Sequence, residues 1–117
     1  MTKQEISEAF SNGNFESTYP FLAENITWMV VGENLFNGKK AVIENCEQTA
    51  AYFKSVQTNF KTNHLLQDNN KIAISGTVEF FKNGKSVAFV SAFDLYEFNS
   101  EGKLFTITSY CIQHGKQ

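Results

Sequence analysis

Arginine is missing from this chain altogether; all ten basic residues are lysine. A mechanism that needs a bidentate guanidinium clamp on a carboxylate or phosphate therefore cannot be built within one copy. The lysines form no basic block and the formal net charge is −2, which argues against a nucleic-acid surface. Cysteine is scarce, with only Cys46 and Cys111. They fall on different predicted elements, without Cys-x-x-Cys or Cys/His metal spacing. The expectation is two buried thiols in a reducing compartment, no metal site and no cofactor. Pro20 is the lone proline. No apolar run approaches membrane-spanning length. The start, MTKQEISEAF, lacks the apolar core of a signal peptide. We therefore expect a cytoplasmic protein with no membrane partner, and the Asn25-Ile26-Thr27 sequon carries no weight.

What the chain does have is aromatic mass and strand-forming sequence. Twelve phenylalanines lie among 117 residues, enough chain for a single domain over 1–117 with one core. Residues 85–98, KSVAFVSAFDLYEF, and 103–113, KLFTITSYCIQ, are dense in β-branched and aromatic residues. The turn signal Asn99-Ser100-Glu101-Gly102 joins them. We expect these to be the two longest strands, antiparallel, at the centre of a sheet. Upstream, Thr2 and Glu5 have capping-box spacing ahead of a helix over 3–11, whose Ile6, Ala9 and Phe10 share one face. A second helical piece over 15–22 is interrupted by Pro20. Residues 25–31 form a strand, Leu35-Phe36 a very short one, and 39–54 a helix with an apolar stripe of Val42, Ile43, Cys46, Ala50 and Phe53. Strands over 58–67 and 71–81 follow, and Asn83-Gly84 is a strong hairpin signal. The order predicts an α+β fold with helices on one face of a curved sheet.

Two stretches carry a family likeness. One is LAENITWMVVGENLFNGKKAVIE, 22–44; the other is 77–110, closing on the turn after Phe98. With Asn12-Gly13-Asn14-Phe15 they resemble the nuclear transport factor 2-like superfamily, in its SnoaL-like and ketosteroid-isomerase-like branch. The resemblance implies a cystatin-like cone: a curved antiparallel sheet wrapped around N-terminal helices and one long helix, enclosing a pocket. It also implies roles at particular positions. The isomerases' general base falls on Val30 and their helix tyrosine on Ile6, so both are lost here. Their protonated aspartate falls on Asp94 and is kept. The Asp-Arg-Asp relay of the epoxide hydrolases of this fold cannot be built without arginine.

Asp94 is the leading candidate from the residues themselves. Strand alternation puts it on one face with Ala88, Val90, Ala92 and Tyr96, leaving Phe89, Ser91, Phe93 and Leu95 on the other. A carboxylate between apolar walls has its charged form disfavoured, so its pKa rises and it can hold or protonate a substrate oxygen. A buried aspartate that merely ties down a neighbour fits the same pattern. His64, mid-strand in KTNHLLQ, is the second acid–base candidate if it shares that face; a satisfied structural histidine is the alternative. His114 is expected to fray. Trp28, Val30, Cys111, Tyr110 and Tyr52 are candidates for the pocket wall, with plain core packing as the alternative for the aromatics. Two functions follow: a pocket that binds a small hydrophobic molecule, or a cofactor-free isomerase, cyclase or hydrolase using Asp94, with or without His64. The outward face, bearing Phe89, Phe93, Leu95, Thr106, Thr108, Tyr110 and Ile112, is apolar enough to predict a homodimer through the sheet.

Overall fold

The computed structural model describes residues 1–115. Helix α1, Lys3–Ser11, starts at a complete capping box. The Glu5 amide donates to Thr2 Oγ1 at 3.0 Å, and the Thr2 amide donates back to Glu5 Oε1 at 2.7 Å. Ile6 and Phe10 face the core, and the helix stops at Asn12. Gly13 follows at φ +81, with Phe53 and Phe60 rings packed where a side chain would stand. A 3-10 helix, Glu16–Phe21, holds Pro20 near its end, and the chain passes straight into strand β1, Leu22–Val30. That strand begins three residues before the expected 25, because Leu22 and Ala23 are buried.

Strand β2, Asn34–Asn37, returns alongside β1. Gly38 at φ +91 opens helix α2, Lys39–Ser55. Strands β3, Gln57–Asp68; β4, Lys71–Lys82; β5, Lys85–Phe98; and β6, Leu104–Gln113 form the meander. One six-stranded sheet results, in the order β2-β1-β6-β5-β4-β3, with β6 and β5 central as expected. Every neighbouring pair is antiparallel except β1 with β6, which run parallel. β5 is the longest strand at fourteen residues. β6, at ten, is shorter than β3 and β4 at twelve each, contrary to expectation. β3 is an edge strand of the sheet, and most of it is exposed.

The helices cover the concave face of the curved sheet. Between them lie Ile26, Trp28, Val42, Cys46, Ile72, Tyr96 and Ile107, all buried. Each such aliphatic contributes about 1.5–3 kcal/mol by leaving water. The rings of Phe10, Phe15 and Trp28 meet edge-on or tilted at 4.9–6.5 Å. The two cysteines differ. Cys46 is buried, but Cys111 is exposed, because β6 outruns the helical cover beyond Ser109. Among the described residues, no helix is long and apolar enough to cross a membrane.

Candidate functional site

The site is built on one row across the sheet. Ile74 on β4, Asp94 on β5, Ser109 on β6 and Val30 on β1 are consecutive register partners, so all point to the concave face. The next row is made of small residues, Gly76, Ala92 and Cys111, which leave space above the sheet. A cavity of about 240 Å³ opens there, walled by Trp28, Val30, Cys111 and the rings of Phe10, Phe15 and Phe53, with Asp94 and Ser109 on its floor. A second, narrower slot of about 40 Å³ reaches Asp94 from the β3–β4 side past Thr62 and Gly76, large enough for water.

Asp94 is half-buried and held by hydroxyls. Ser11, the last residue of α1, donates to Asp94 Oδ2 at 3.0 Å. The Tyr96 phenol lies 2.6 Å from the same Ser11 oxygen. Ser11 has one proton and spends it on Asp94, so Tyr96 is the donor in that second bond. On the other side, Trp28 Nε1 donates to Ser109 Oγ at 3.0 Å, leaving the Ser109 proton for Asp94. The directions then run from both ends toward the carboxylate.

Burial raises the Asp94 pKa above its ordinary value, and the neighbouring hydroxyls of Ser109, Ser11 and Tyr96 hold back part of that rise. Tyr96 is fully buried beside this carboxylate, which pushes its phenol well above its usual range, so it stays protonated. Cys111 is pushed up to about 11, by desolvation first and then by the Asp94 charge, so it stands as a neutral thiol in the wall. A carboxyl group with a raised pKa beside fixed hydroxyls can donate a hydrogen bond when protonated and accept a proton when not.

Several expected residues are elsewhere. His64 lies on the convex face, exposed, opposite Ser75, and does not meet Asp94. The cause is a bulge: Thr62 pairs with Gly76, but His64 pairs with Ser75, so Asn63 is the extra residue and parity flips behind it. Tyr110 also faces outward, opposite Phe93, with its ring half exposed, and is not part of the wall. The strand alternation that puts Ser109 inside requires this. Tyr52 is not among the residues that line this cavity. Its half-exposed ring packs at a steep angle against the buried Phe80 ring. His114 is not frayed: its amide donates to the Phe89 carbonyl and its Nε2 lies 2.7 Å from Ser91 Oγ. Ser11 on α1 escaped the sequence reading, and so did two lining residues of α2, Asn45 and Thr49. Their spacing of four beside Phe53 was the available signal, but polar residues on a helix default to the solvent face. Among the described residues, no group of three or more His, Cys, Asp or Glu side chains gathers at metal-binding distance.

The comparisons with known proteins agree with this fold. The family model described as a SnoaL-like domain matches residues 4–107. An NTF2-like protein of unknown function from Cytophaga hutchinsonii is 34% identical over 93% of this chain and 95% of its own, with a TM-score of 0.84. SalBIII, an epoxide hydrolase/cyclase-like enzyme of pyran ring formation in the polyether salinomycin, is 19% identical over 94% of this chain and 90% of its own, at a TM-score of 0.71. A LEH-like epoxide hydrolase from M. tuberculosis is 13% identical over 90% of this chain and 75% of its own, at 0.66. These last two likenesses show the fold alone. A search of curated proteins finds no match. With the family model spanning nearly the whole chain, and a 34% identical structure sharing the same cone, this protein belongs to the SnoaL-like domain family of the NTF2-like superfamily.

Proposed function

We infer that the cone binds a small, mainly apolar molecule, with one polar group of the ligand against Asp94. The observation that carries this reading is the cavity of about 240 Å³, walled by rings and aliphatics with a single carboxylate on its floor. The test is titration calorimetry with 2-naphthol, a neutral ring with one hydroxyl. Saturable one-to-one binding is expected, and Ala92→Phe, which fills the space above Ala92, abolishes it. If neither 2-naphthol nor other neutral rings of one or two cycles bind, the reading fails.

A second reading is favoured by the raised Asp94 pKa within its hydroxyl cluster. Here Asp94 is the general acid or base of a cofactor-free isomerase, cyclase or hydrolase, acting without His64. Asp94→Asn should then lower turnover by about 10²–10⁴-fold while ligand binding persists. Turnover equal to wild type would remove Asp94 from the chemistry.

We further propose a homodimer through the convex face. What supports it is a row running Leu66, Ala73, Leu95, Thr108, Met29, Leu35 across all six strands, with Phe93, Tyr110 and Ile112 beside it. Leu66 is 71% exposed and Ile112 66%, an apolar surface of the kind that marks an interaction face.

A further inference from the structure

The cone has a second polar pole, on the helix rather than the sheet. Asn45 and Thr49 are four residues apart on α2, so they lie on one face, and both line the cavity. Neither side chain hydrogen-bonds to another among the described residues, and neither is left buried without a partner. Their amide and hydroxyl are therefore open to whatever fills the cone. Asp94 and Ser109 approach the same cavity from the sheet. Aromatic rings on α1, β1 and the C-terminal part of α2 occupy the walls between these poles.

The charge at the site is equally specific. Among the described residues, no lysine or histidine lines the cavity. Its ionisable side chains are Asp94 and Cys111, and the thiol is neutral at physiological pH. An anionic ligand would find no counter-charge and would face a carboxylate in a half-buried site. The volume of about 240 Å³ lies between an apolar cavity of about 150 Å³ that admits benzene and the lower bound of about 300 Å³ for drug-sized ligands. One ring or two fused rings fit that range.

We propose that the cone selects a neutral one- or two-ring compound carrying two oxygen functions, one held by Asp94 and Ser109 on the sheet and the other by Asn45 and Thr49 on α2. The inference rests on the proposed function and names its ligand class. Asn45 can donate to a carbonyl or accept from a hydroxyl, and Thr49 can do either, so the second oxygen can be a ketone or an alcohol. A ligand without that oxygen would cover the two side chains and strip their water, leaving them unpaired. Asn45 and Thr49 are thus specificity residues, separate from the Asp94 cluster.

The test is calorimetry on the whole protein with matched pairs: 1,4-dihydroxybenzene against 4-methylphenol, and 2,6-dihydroxynaphthalene against 6-methyl-2-naphthol. In at least one pair the diol should bind about 10-fold tighter than its methyl partner. The isosteric Thr49→Val, combined with Asn45→Leu, should erase that ratio, with the methyl partner binding more tightly than to wild type because no polar side chain is then left unpaired. Thr49→Val alone should reduce the ratio in part, which keeps the test alive if the double variant does not fold. Replacing the second hydroxyl by a carboxylate, as in 4-hydroxybenzoate, should weaken binding at least as much as the methyl group does. Equal affinity within both pairs overturns the second pole but leaves the proposed function standing. Tight binding of 4-hydroxybenzoate overturns the neutral-ligand requirement. Failure of all the rings to bind overturns both.

Discussion

Ser11 Oγ donates to Asp94 Oδ2 at 3.0 Å, and this one bond ties the last residue of α1 to the middle of β5. The helix end is set by the capping box at Thr2 and the stop at Asn12, so Ser11 has a fixed position against the sheet. Its second contact, with the Tyr96 phenol at 2.6 Å, gives a fully buried hydroxyl its partner. Ser11→Ala should destabilise the fold by about 1–3 kcal/mol, the cost of leaving such a group unsatisfied. It should also raise the Asp94 pKa further, since one of the bonds that stabilise its charge is gone. Denaturant unfolding and carboxyl-carbon NMR titration check the two effects. A titration that does not move upward would show that Ser11 does not hold Asp94.

The pH dependence of stability follows from the same carboxyl. Its folded pKa lies above the unfolded value, so the native state binds the proton more tightly than the unfolded chain. Between the unfolded pKa, about 3.9, and the folded one, stability attributable to Asp94 falls as pH rises. Above the folded pKa the full cost of a buried carboxylate is present; below the unfolded pKa it is absent. Asp94→Asn should therefore be more stable than wild type at neutral pH, and its advantage should vanish in acid below about pH 3.9. An advantage that is constant with pH, measured by denaturant midpoints, would rule out this linkage.

Gly76 is the sheet's compensation for the bulge on β3. A Cβ there would press on the Lys61 carbonyl oxygen, which is backbone and cannot swing away. Gly76→Ala should cost about 1–3 kcal/mol as an overpacking change. Because the bulge sets the parity of everything after Asn63, relief of the clash by loss of the bulge would turn His64 inward. Thermal unfolding and the histidine ring shifts report the two outcomes. A variant with wild-type stability and an unmoved His64 would show that the close approach does not matter.

Much of this fold is legible because its signals are local. The Thr2/Glu5 box, the Asn83-Gly84 turn and the alternation of β5 each act within a few residues and are not overridden by packing. Asp94 was legible for the same reason: a single carboxylate in an apolar strand needs no partner to be noticed. His64 was not, because its face depends on an inserted residue whose only trace in the sequence is a glycine on the neighbouring strand. Asn45 and Thr49 were hidden by the opposite problem. Their helix has an apolar stripe that points at the core, and only the tertiary placement of α2 shows that the stripe's edge overhangs a cavity.

The proposed dimer gives the last prediction. Phe93 and Tyr110 are register partners on the two central strands, with ring centroids 6.4 Å apart, and both rings are about half exposed. They stand in the middle of the convex face, next to the Leu95–Thr108–Met29 row. A two-fold axis passing there would set each pair against its copy, since residues at the centre of an isologous interface meet their own counterparts. A standard interface removes about 800 Å² per partner, which a face of six strands can supply. Light scattering should find twice the 13.2 kDa chain mass at micromolar concentration. Phe93→Glu places a charge at the centre of the contact while leaving the concave core untouched, so it should yield a folded monomer of 13.2 kDa that still binds the pocket ligand. A wild-type protein that is monomeric, or a Phe93→Glu variant that stays dimeric, would remove this face as the contact. Because Phe93 and Asp94 are adjacent on one strand and point to opposite faces, the variant separates the two surfaces: assembly should change and ligand affinity should not.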